Sequence, residues 1–158
     1  MKKSTRRKFI AGAVPAVALA AAPARAQQSA AQPARKRVYR KLTPTSKTFQ
    51  GQPLYSPELS FGNLVFVSGK GAGVDAKGDI TEQTKTVLDQ IEESLKLAGS
   101  SMDRALKVNV YLTDIKNFEG MNKAYINRFG AEPPVRTTVA VTALPDGSLV
   151  EIDCIAHL

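Results

Sequence analysis

Two oppositely charged side chains near the C-terminus are candidates for a polar site on one face of a sheet. Arg136 lies in the run Val135–Val141 and Glu151 in the run Leu149–Ala156, and both runs alternate as β-strands do. A guanidinium binds a planar carboxylate through two parallel hydrogen bonds, and a glutamate can accept a hydrogen bond from an attacking water. The alternation predicts that Arg136 and Glu151 share the sheet face that points away from the helices.

The same pattern has a simpler interpretation, in which Arg136 pairs with Glu151 or Asp153 across strands on a solvated face. By the same count, this face also carries Lys107, Asn109 and Tyr111. A polar but not fully hydrophilic sheet face is also typical of a subunit interface that contains a polar site. The residues alone leave both interpretations open.

The composition excludes several other chemistries. The 158 residues include one Cys and one His, so the chain forms no internal disulfide and no structural zinc site. The single histidine, His157, lies one residue from the C-terminus, which argues against a buried Ser-His-Asp relay. Redox, zinc and serine-hydrolase chemistry are therefore excluded, and no cluster of ligands in the sequence calls for a metal or an organic cofactor.

The net charge of +8 is concentrated at the N-terminal end. Residues 1–41 contain 11 Lys and Arg and no acidic residue, whereas residues 42–158 contain 11 Lys and Arg against 14 Asp and Glu, a net charge of −3. A surface that follows nucleic-acid phosphates needs clustered cations on the folded domain. We therefore expect no nucleic-acid partner.

The N-terminal residues have the pattern of an export signal. Arg6 and Arg7 precede a mild, Ala-rich stretch, and Ala24 and Ala26 supply the small residues that signal peptidase requires. This pattern predicts a twin-arginine signal peptide over residues 1–26, transient contact with the twin-arginine export machinery, and a periplasmic or secreted mature protein. An ordinary Sec-type signal is the alternative. The stretch is too short and too weakly apolar for a stable membrane anchor.

Residues 27–41 are rich in Gln, Ala, Pro and basic residues, which predicts a disordered linker. Residues 42–158 then form the folded domain. Apolar residues recur every three or four positions from Ile80 to Ala98, which predicts a long helix that Gly99 ends. Further predicted elements are strands at Leu64–Val67 and Lys107–Leu112 and a second helix with a stripe of Phe118, Met121, Tyr125 and Phe129. Two helices among these strands predict an α+β fold with both helices on one face of a mixed sheet.

Several short segments occur together in a distinctive order. Pro134–Val139 reads Pro-Val-Arg-Thr-Thr-Val, and Ala143–Pro145 and Val150–Ile152 follow it. Upstream of these segments lie Tyr55, Val67-Ser68-Gly69, Asn122 and Tyr125. Over residues 42–158, this set resembles the reactive intermediate deaminase family, also called the YjgF/RidA family.

The resemblance implies a chorismate-mutase-like α+β fold that forms a homotrimer, with sites in the clefts between subunits. It implies hydrolysis of reactive enamines and imines, the 2-imino acids, to 2-keto acids and ammonia without a cofactor. In these terms Arg136 binds the substrate carboxylate and Glu151 positions the attacking water. The resemblance also implies a pocket lined by Tyr55, Ser68, Asn122 and Thr138.

The sequence departs from the family pattern at a few positions. Lys70 replaces the usual Gln after Ser-Gly, and Thr138 replaces a Cys that many relatives carry. An alternative function is a non-catalytic trimer, either a small-carboxylate-binding or a chaperone-like periplasmic protein. An endoribonuclease activity has also been attached to the family, but the negative domain charge and the single histidine argue against it.

Overall fold

The computed structural model describes residues 35–40, 48–74 and 76–158. The predicted signal peptide, residues 1–26, lies outside the described residues, as does most of the predicted linker. Within the described part of the chain, no helix combines the length and the apolar character needed to cross a membrane.

The described residues form eight β-strands and two α-helices. The strands are β1 Arg37–Val38, β2 Thr48–Phe49, β3 Gln52–Pro53, β4 Glu58–Phe61, β5 Leu64–Gly71, β6 Ala105–Leu112, β7 Val135–Ala140 and β8 Val150–His157. The helices are α1 Ile80–Ala98 and α2 Phe118–Tyr125, and short 3-10 turns cover Met102–Arg104, Ile115–Asn117 and Pro145–Gly147.

The main sheet has six strands in the order β1-β4-β5-β8-β6-β7, and β2 and β3 form a separate hairpin. Every pair in the main sheet is antiparallel except β6 with β7. A parallel pair needs a crossover connection, and α2 supplies it here. Helix α1 packs on α2 and on the central strands. The fold is therefore α+β with a mixed sheet, as predicted.

Helix α1 has the predicted bounds because its signals are local. The Asp79 side chain accepts hydrogen bonds from the backbone N–H groups of Thr81 and Glu82, at 2.8 and 3.0 Å. At the other end, Gly99 has a φ of +85°, a left-handed conformation that glycine adopts without strain. The apolar stripe of α1 is buried against the sheet.

Helix α2 is shorter than its apolar stripe suggests. It ends at Tyr125, because Ile126 has extended backbone angles and Asn127 a φ of +63°. Asparagine tolerates this left-handed conformation better than most residues. Phe129 lies beyond the helix but is still buried, with its ring centroid 4.9 Å from that of Tyr125. The stripe therefore predicts burial correctly and the end of the helix incorrectly.

The core lies between the two helices and the central strands of the sheet. On β6, Val108, Val110 and Leu112 are fully buried, as their alternation predicts. The apolar side of β8 faces the same core through Val150, Ile152, Cys154 and Ala156. The alternation of both central strands is therefore confirmed.

Part of the predicted linker belongs to the folded domain. Strand β1 pairs with β4, and the Tyr39 hydroxyl lies 2.9 Å from Ser60 Oγ. The guanidinium of Arg40 binds the fully buried Glu58 carboxylate through two hydrogen bonds, at 3.1 and 3.3 Å. The domain therefore begins before residue 42. The basic composition of residues 35–41 conceals this, because one of these cations pairs with a buried acid.

Candidate functional site

The predicted site residues fall into two separate cavities in the described part of the chain. Arg136 and Asn122 line a cavity of about 570 Å³ between α2 and β7, which we call the arginine cavity. Glu151, Tyr55 and Ser68 line a second cavity of about 490 Å³ beside β5 and β8, which we call the glutamate cavity. Thr138 lines neither of them.

The Arg136 guanidinium is held in one orientation by α2. Its NH1 group donates a hydrogen bond to Asn122 Oδ1 at 2.8 Å. Its Cζ atom lies 4.6 Å from the ring centroid of Tyr125 and 5.6 Å from that of Phe118. Aromatic faces attract a cation, so both rings stabilise this position. The hydrogen bond to Asn122 uses one of the five N–H donors of the guanidinium. The remaining donors can bind a planar anion.

The prediction that Arg136 and Glu151 share a sheet face is wrong. Arg136 lies opposite Val108 in the parallel pair, and Val108 is buried under the helices. Glu151 lies opposite Tyr111 in the antiparallel pair. Val108 and Tyr111 are three residues apart on β6, so their side chains point to opposite faces. Arg136 therefore faces α2, and Glu151 faces the open side of the sheet.

The error arises on β7, where alternation alone does not show which side the helix covers. Val135 and Val139, predicted to face the helices, are instead 69% and 41% exposed on the open face. Strand β7 is an edge strand, and the long Arg136 side chain packs on the aromatic rings of α2 where an apolar residue was expected. The exposed valines leave an apolar surface uncovered in a single copy of the chain.

A β-bulge shapes the glutamate cavity. The register between β5 and β8 shifts between Val67 and Lys70, so Ser68 and Gly69 together oppose Asp153. The strand therefore continues through Ser68-Gly69, where the sequence predicted its end. The bulge brings the Gly69 backbone against the Glu151 side chain. A Cβ atom at Gly69 would lie only 2.8 Å from the Glu151 carboxyl carbon, so the approach requires glycine.

Three buried hydroxyl groups have no hydrogen-bond partner among the described residues: Ser68 Oγ, Thr138 Oγ1 and Tyr125 OH. Burial raises the pKa of Tyr125 to about 12, and the nearby Arg136 charge only partly opposes this. The Tyr125 hydroxyl therefore stays neutral beside the guanidinium. Ser68 and Thr138, both predicted to contact substrate, hold their hydroxyl oxygens below the surface of the protein.

The apolar lining of the arginine cavity was not predicted from the sequence. Tyr125, Ile126, Phe129, Pro133 and Pro134 form most of its wall. Pro133-Pro134 stands directly before the arginine motif and was a usable signal. Ile126 and Phe129 could not be placed from sequence, because the predicted helix was extended past its actual end.

Among the described residues, no group of three or more His, Cys, Asp or Glu side chains is arranged to hold a metal ion. The arginine cavity presents a fixed cation in an apolar wall, and such a cavity can bind a small organic carboxylate. The glutamate cavity presents a carboxylate and backbone groups, which can bind and orient a water molecule.

Comparison with known proteins gives relatives in several organisms. "Protein mmf2, mitochondrial" of Schizosaccharomyces pombe is 40% identical over 118 residues, which cover 71% of this chain and 93% of that protein. "Reactive Intermediate Deaminase A, chloroplastic" of Arabidopsis thaliana is 32% identical over 126 residues, covering 77% and 67%. The crystal structure of Escherichia coli TdcF with bound serine superposes with a TM-score of 0.62 at 28% identity, covering 66% of this chain and 87% of that one.

The predicted periplasmic or secreted location is wrong by this comparison. The relatives with a stated compartment are a mitochondrial protein and a chloroplastic protein. A basic N-terminal segment without acidic residues is a weak signal for export, because organelle transit peptides are also rich in Arg and poor in acidic residues.

A family model described as "Endoribonuclease L-PSP" matches residues 45–158, most of the chain. The match covers the six-stranded sheet from β4 onward, both helices, and every predicted site residue. The named relatives and the shared fold agree with it. The chain belongs to the YjgF/RidA family of reactive intermediate deaminases.

Proposed function

We propose that this protein hydrolyses 2-imino acids to 2-keto acids and ammonia, without a cofactor. Arg136 binds the substrate carboxylate, and Glu151 positions the attacking water. The observation that carries the proposal is the Arg136 guanidinium, fixed by Asn122 at 2.8 Å in a largely apolar cavity. None of the described residues that line this cavity is acidic, so a ligand carboxylate is the natural partner of the cation.

The chemistry needs positioning more than strong catalysis, because imines already react with water. Water adds to the carbon of the protonated C=N bond while one of its protons passes to the Glu151 carboxylate, which gives a carbon that bears both a hydroxyl and an amino group. Glu151 then returns the proton to the nitrogen. The C–N bond breaks, ammonia leaves, and the hydroxyl proton passes to that ammonia, which gives the keto group and an ammonium ion. Atoms and charge balance without an oxidant.

The site requires two copies of the chain, since Arg136 and Glu151 lie in separate cavities on opposite faces of one sheet. We propose that the arginine cavity of one copy meets the glutamate cavity of the next in a homotrimer. The open sheet face supports this assembly, because exposed Val135, Val139 and Phe66 would otherwise remain in water. Opposite charges at the two cavities, Arg136 on one and Glu151 on the other, favour the same docking.

The relatives support the substrate class. The Arabidopsis relative is named a reactive intermediate deaminase, and the E. coli relative was solved with serine bound. Serine carries the α-carboxylate next to a carbon bonded to nitrogen, which is the arrangement of a 2-imino acid. In this site Asn122 acts as a positioning residue for Arg136, and Tyr55 and Ser68 shape the opposite wall.

The test is the rate of keto-acid formation from imines generated in solution by an amino-acid oxidase. Arg136→Ala should lower kcat/KM by at least about 30-fold, since it removes a desolvated charged contact. Arg128→Ala is the matched control, because this arginine binds Asp89 on the outside of the helices, at 2.7 Å. Equal rates for Arg136→Ala and the unchanged protein would refute the proposal.

The alternative is a non-catalytic trimer that binds small carboxylates or protects other proteins from aggregation. It predicts keto-acid binding without turnover, or protection that does not depend on Arg136. The family model also carries an endoribonuclease description. A domain charge of −3 and a single histidine do not favour that activity here. RNA that stays intact with purified protein and a chelator would agree with this assessment.

A further inference from the structure

The lining of the arginine cavity combines two kinds of chemistry. Arg136 and Asn122 are polar, and most of the remaining wall is apolar, including Ile126, Phe129 and Pro133. A ligand whose carboxylate lies on Arg136 therefore has carbon-rich surface next to it.

Ile126 is the most exposed large hydrophobic side chain of this wall, at 68%. It directly follows α2, and the left-handed turn at Asn127 prevents it from continuing the helix. Ile126 contributes little to the core of its own chain, because most of its surface is open. Its surface is therefore available to a ligand in the cavity.

The charges near the cavity disfavour an anionic substrate side chain. Arg136 is the one charged residue among the described residues that line the arginine cavity, and in the proposed function it already binds the substrate carboxylate. Across the proposed cleft, the glutamate cavity contributes Glu151 and Asp146, which repel an anion. An anionic side chain would lose water there without gaining a partner. An apolar side chain gains about fourfold in binding constant for each methylene that it buries.

We propose that the preferred substrates are 2-imino acids with a branched aliphatic or aromatic side chain, and that Ile126 determines this specificity. The inference rests on the proposed function, because it places the substrate carboxylate on Arg136. It goes further in assigning the side chain to the apolar wall of the arginine cavity.

The test compares imines generated by an amino-acid oxidase from alanine, leucine, phenylalanine and glutamate. The kcat/KM for the leucine and phenylalanine imines should exceed that for the alanine imine by about tenfold or more. The glutamate imine should be the poorest. Equal values for leucine and alanine, or a preference for glutamate, would overturn the inference.

A substitution of Ile126 tests whether this residue determines the preference for the leucine imine over the alanine imine. Ile126→Ala should reduce the leucine-to-alanine ratio of kcat/KM by about fivefold, because it removes apolar contact surface. Leu97→Ala, an exposed apolar residue of α1 outside both cavities, should leave the ratio unchanged. An unchanged ratio in Ile126→Ala, in a protein with the same oligomeric state, would contradict the role of this residue.

Binding of the product 2-keto acids, measured by calorimetry, separates this inference from the proposed function. If no imine is hydrolysed but the keto acid of leucine binds more tightly than that of alanine, the proposed function fails and the specificity stands. If imines are hydrolysed but the order of binding is reversed, the specificity fails and the proposed function stands.

Discussion

The position of the Glu151 carboxylate depends on the absence of a side chain at Gly69. The β-bulge brings the Gly69 backbone so close that a Cβ atom would lie 2.8 Å from the Glu151 carboxyl carbon. The Gly69 φ lies outside the left-handed region, so space and not backbone conformation requires glycine. The carboxylate proposed to position the water is therefore sensitive to crowding from β5.

Gly69→Ala should lower kcat by about tenfold to a hundredfold, because the added methyl group displaces the Glu151 carboxylate. The melting temperature should change little, since the far end of a side chain can move. Gly71→Ala is the control, because its Cβ would approach Ser148 Oγ at 2.7 Å and not Glu151. Equal losses of kcat in both variants would show that general distortion of β5, and not Glu151, is responsible.

The buried Cys154 thiol should make the folded protein less stable at alkaline pH. Burial raises the pKa of this thiol from 9.0 to about 12, with a smaller contribution from Asp153. Between these two values the unfolded chain loses the proton and the folded chain keeps it. The free energy of unfolding therefore falls as the pH rises above 9.

The loss should reach about 2 kcal/mol by about pH 10.5. Urea unfolding in the presence of a reductant, at about pH 8 and about pH 10.5, measures it. Cys154→Ala should remove most of this pH dependence, whatever it does to stability at pH 8. A variant with the same alkaline loss would assign the effect to other groups, among them Tyr125, whose pKa burial also raises.

At the scale of elements, a side chain next to the short strand β1 helps to attach it to the sheet. The two residues of β1 pair with β4, and Arg40, two residues beyond β1, binds the fully buried Glu58 on β4. Lys70 Nζ lies 4.0 Å from the same carboxylate. Removing one partner of a buried ion pair is strongly destabilising because it leaves the other charge uncompensated.

Arg40→Met should lower the free energy of unfolding by about 3 kcal/mol, since Glu58 would then lose both hydrogen bonds from this guanidinium and keep, among the described residues, the more distant contact with Lys70. The double variant Arg40→Met with Glu58→Gln should recover part of this loss. Lys96→Met, which breaks an exposed pair with Glu92 on α1, should cost no more than about 0.5 kcal/mol. Equal effects of Arg40→Met and Lys96→Met in urea unfolding would show that the buried pair does not anchor β1.

The elements also show what sequence patterns can and cannot predict. The bounds of α1 follow from the sequence because Asp79, the apolar stripe and Gly99 all act within one or two helical turns. Strand β7 is different. Its alternation is correct, but the side that α2 covers depends on how the crossover packs, which is a long-range property.

At the scale of the whole molecule, the proposed function places the site between copies. Arg136 and Glu151 of one chain lie on opposite sheet faces, so in this proposal each meets its counterpart from a neighbouring chain. A substitution of Arg136 then removes one half of each cleft, and a substitution of Glu151 removes the other half.

Mixing two inactive variants tests this arrangement. Arg136→Ala and Glu151→Gln proteins, unfolded together in equal amounts and refolded, should regain about a quarter of the unchanged activity, because random assembly pairs the two intact halves in about one cleft of four. Each variant refolded alone should stay inactive. If the mixture forms trimers that contain both chains but regains no activity, both residues belong to a site within one chain.

The sequence by itself determined the α+β class, the helix α1, the buried alternation of the two central strands, and the residue types for binding a carboxylate and a water. These follow from local periodicity, capping and side-chain chemistry. Only the tertiary structure decided that Arg136 faces α2, that Ser68 and Gly69 form a bulge under Glu151, and that Arg40 joins the domain. Each of these depends on which distant elements pack together, and that information does not reside in any short segment of the chain.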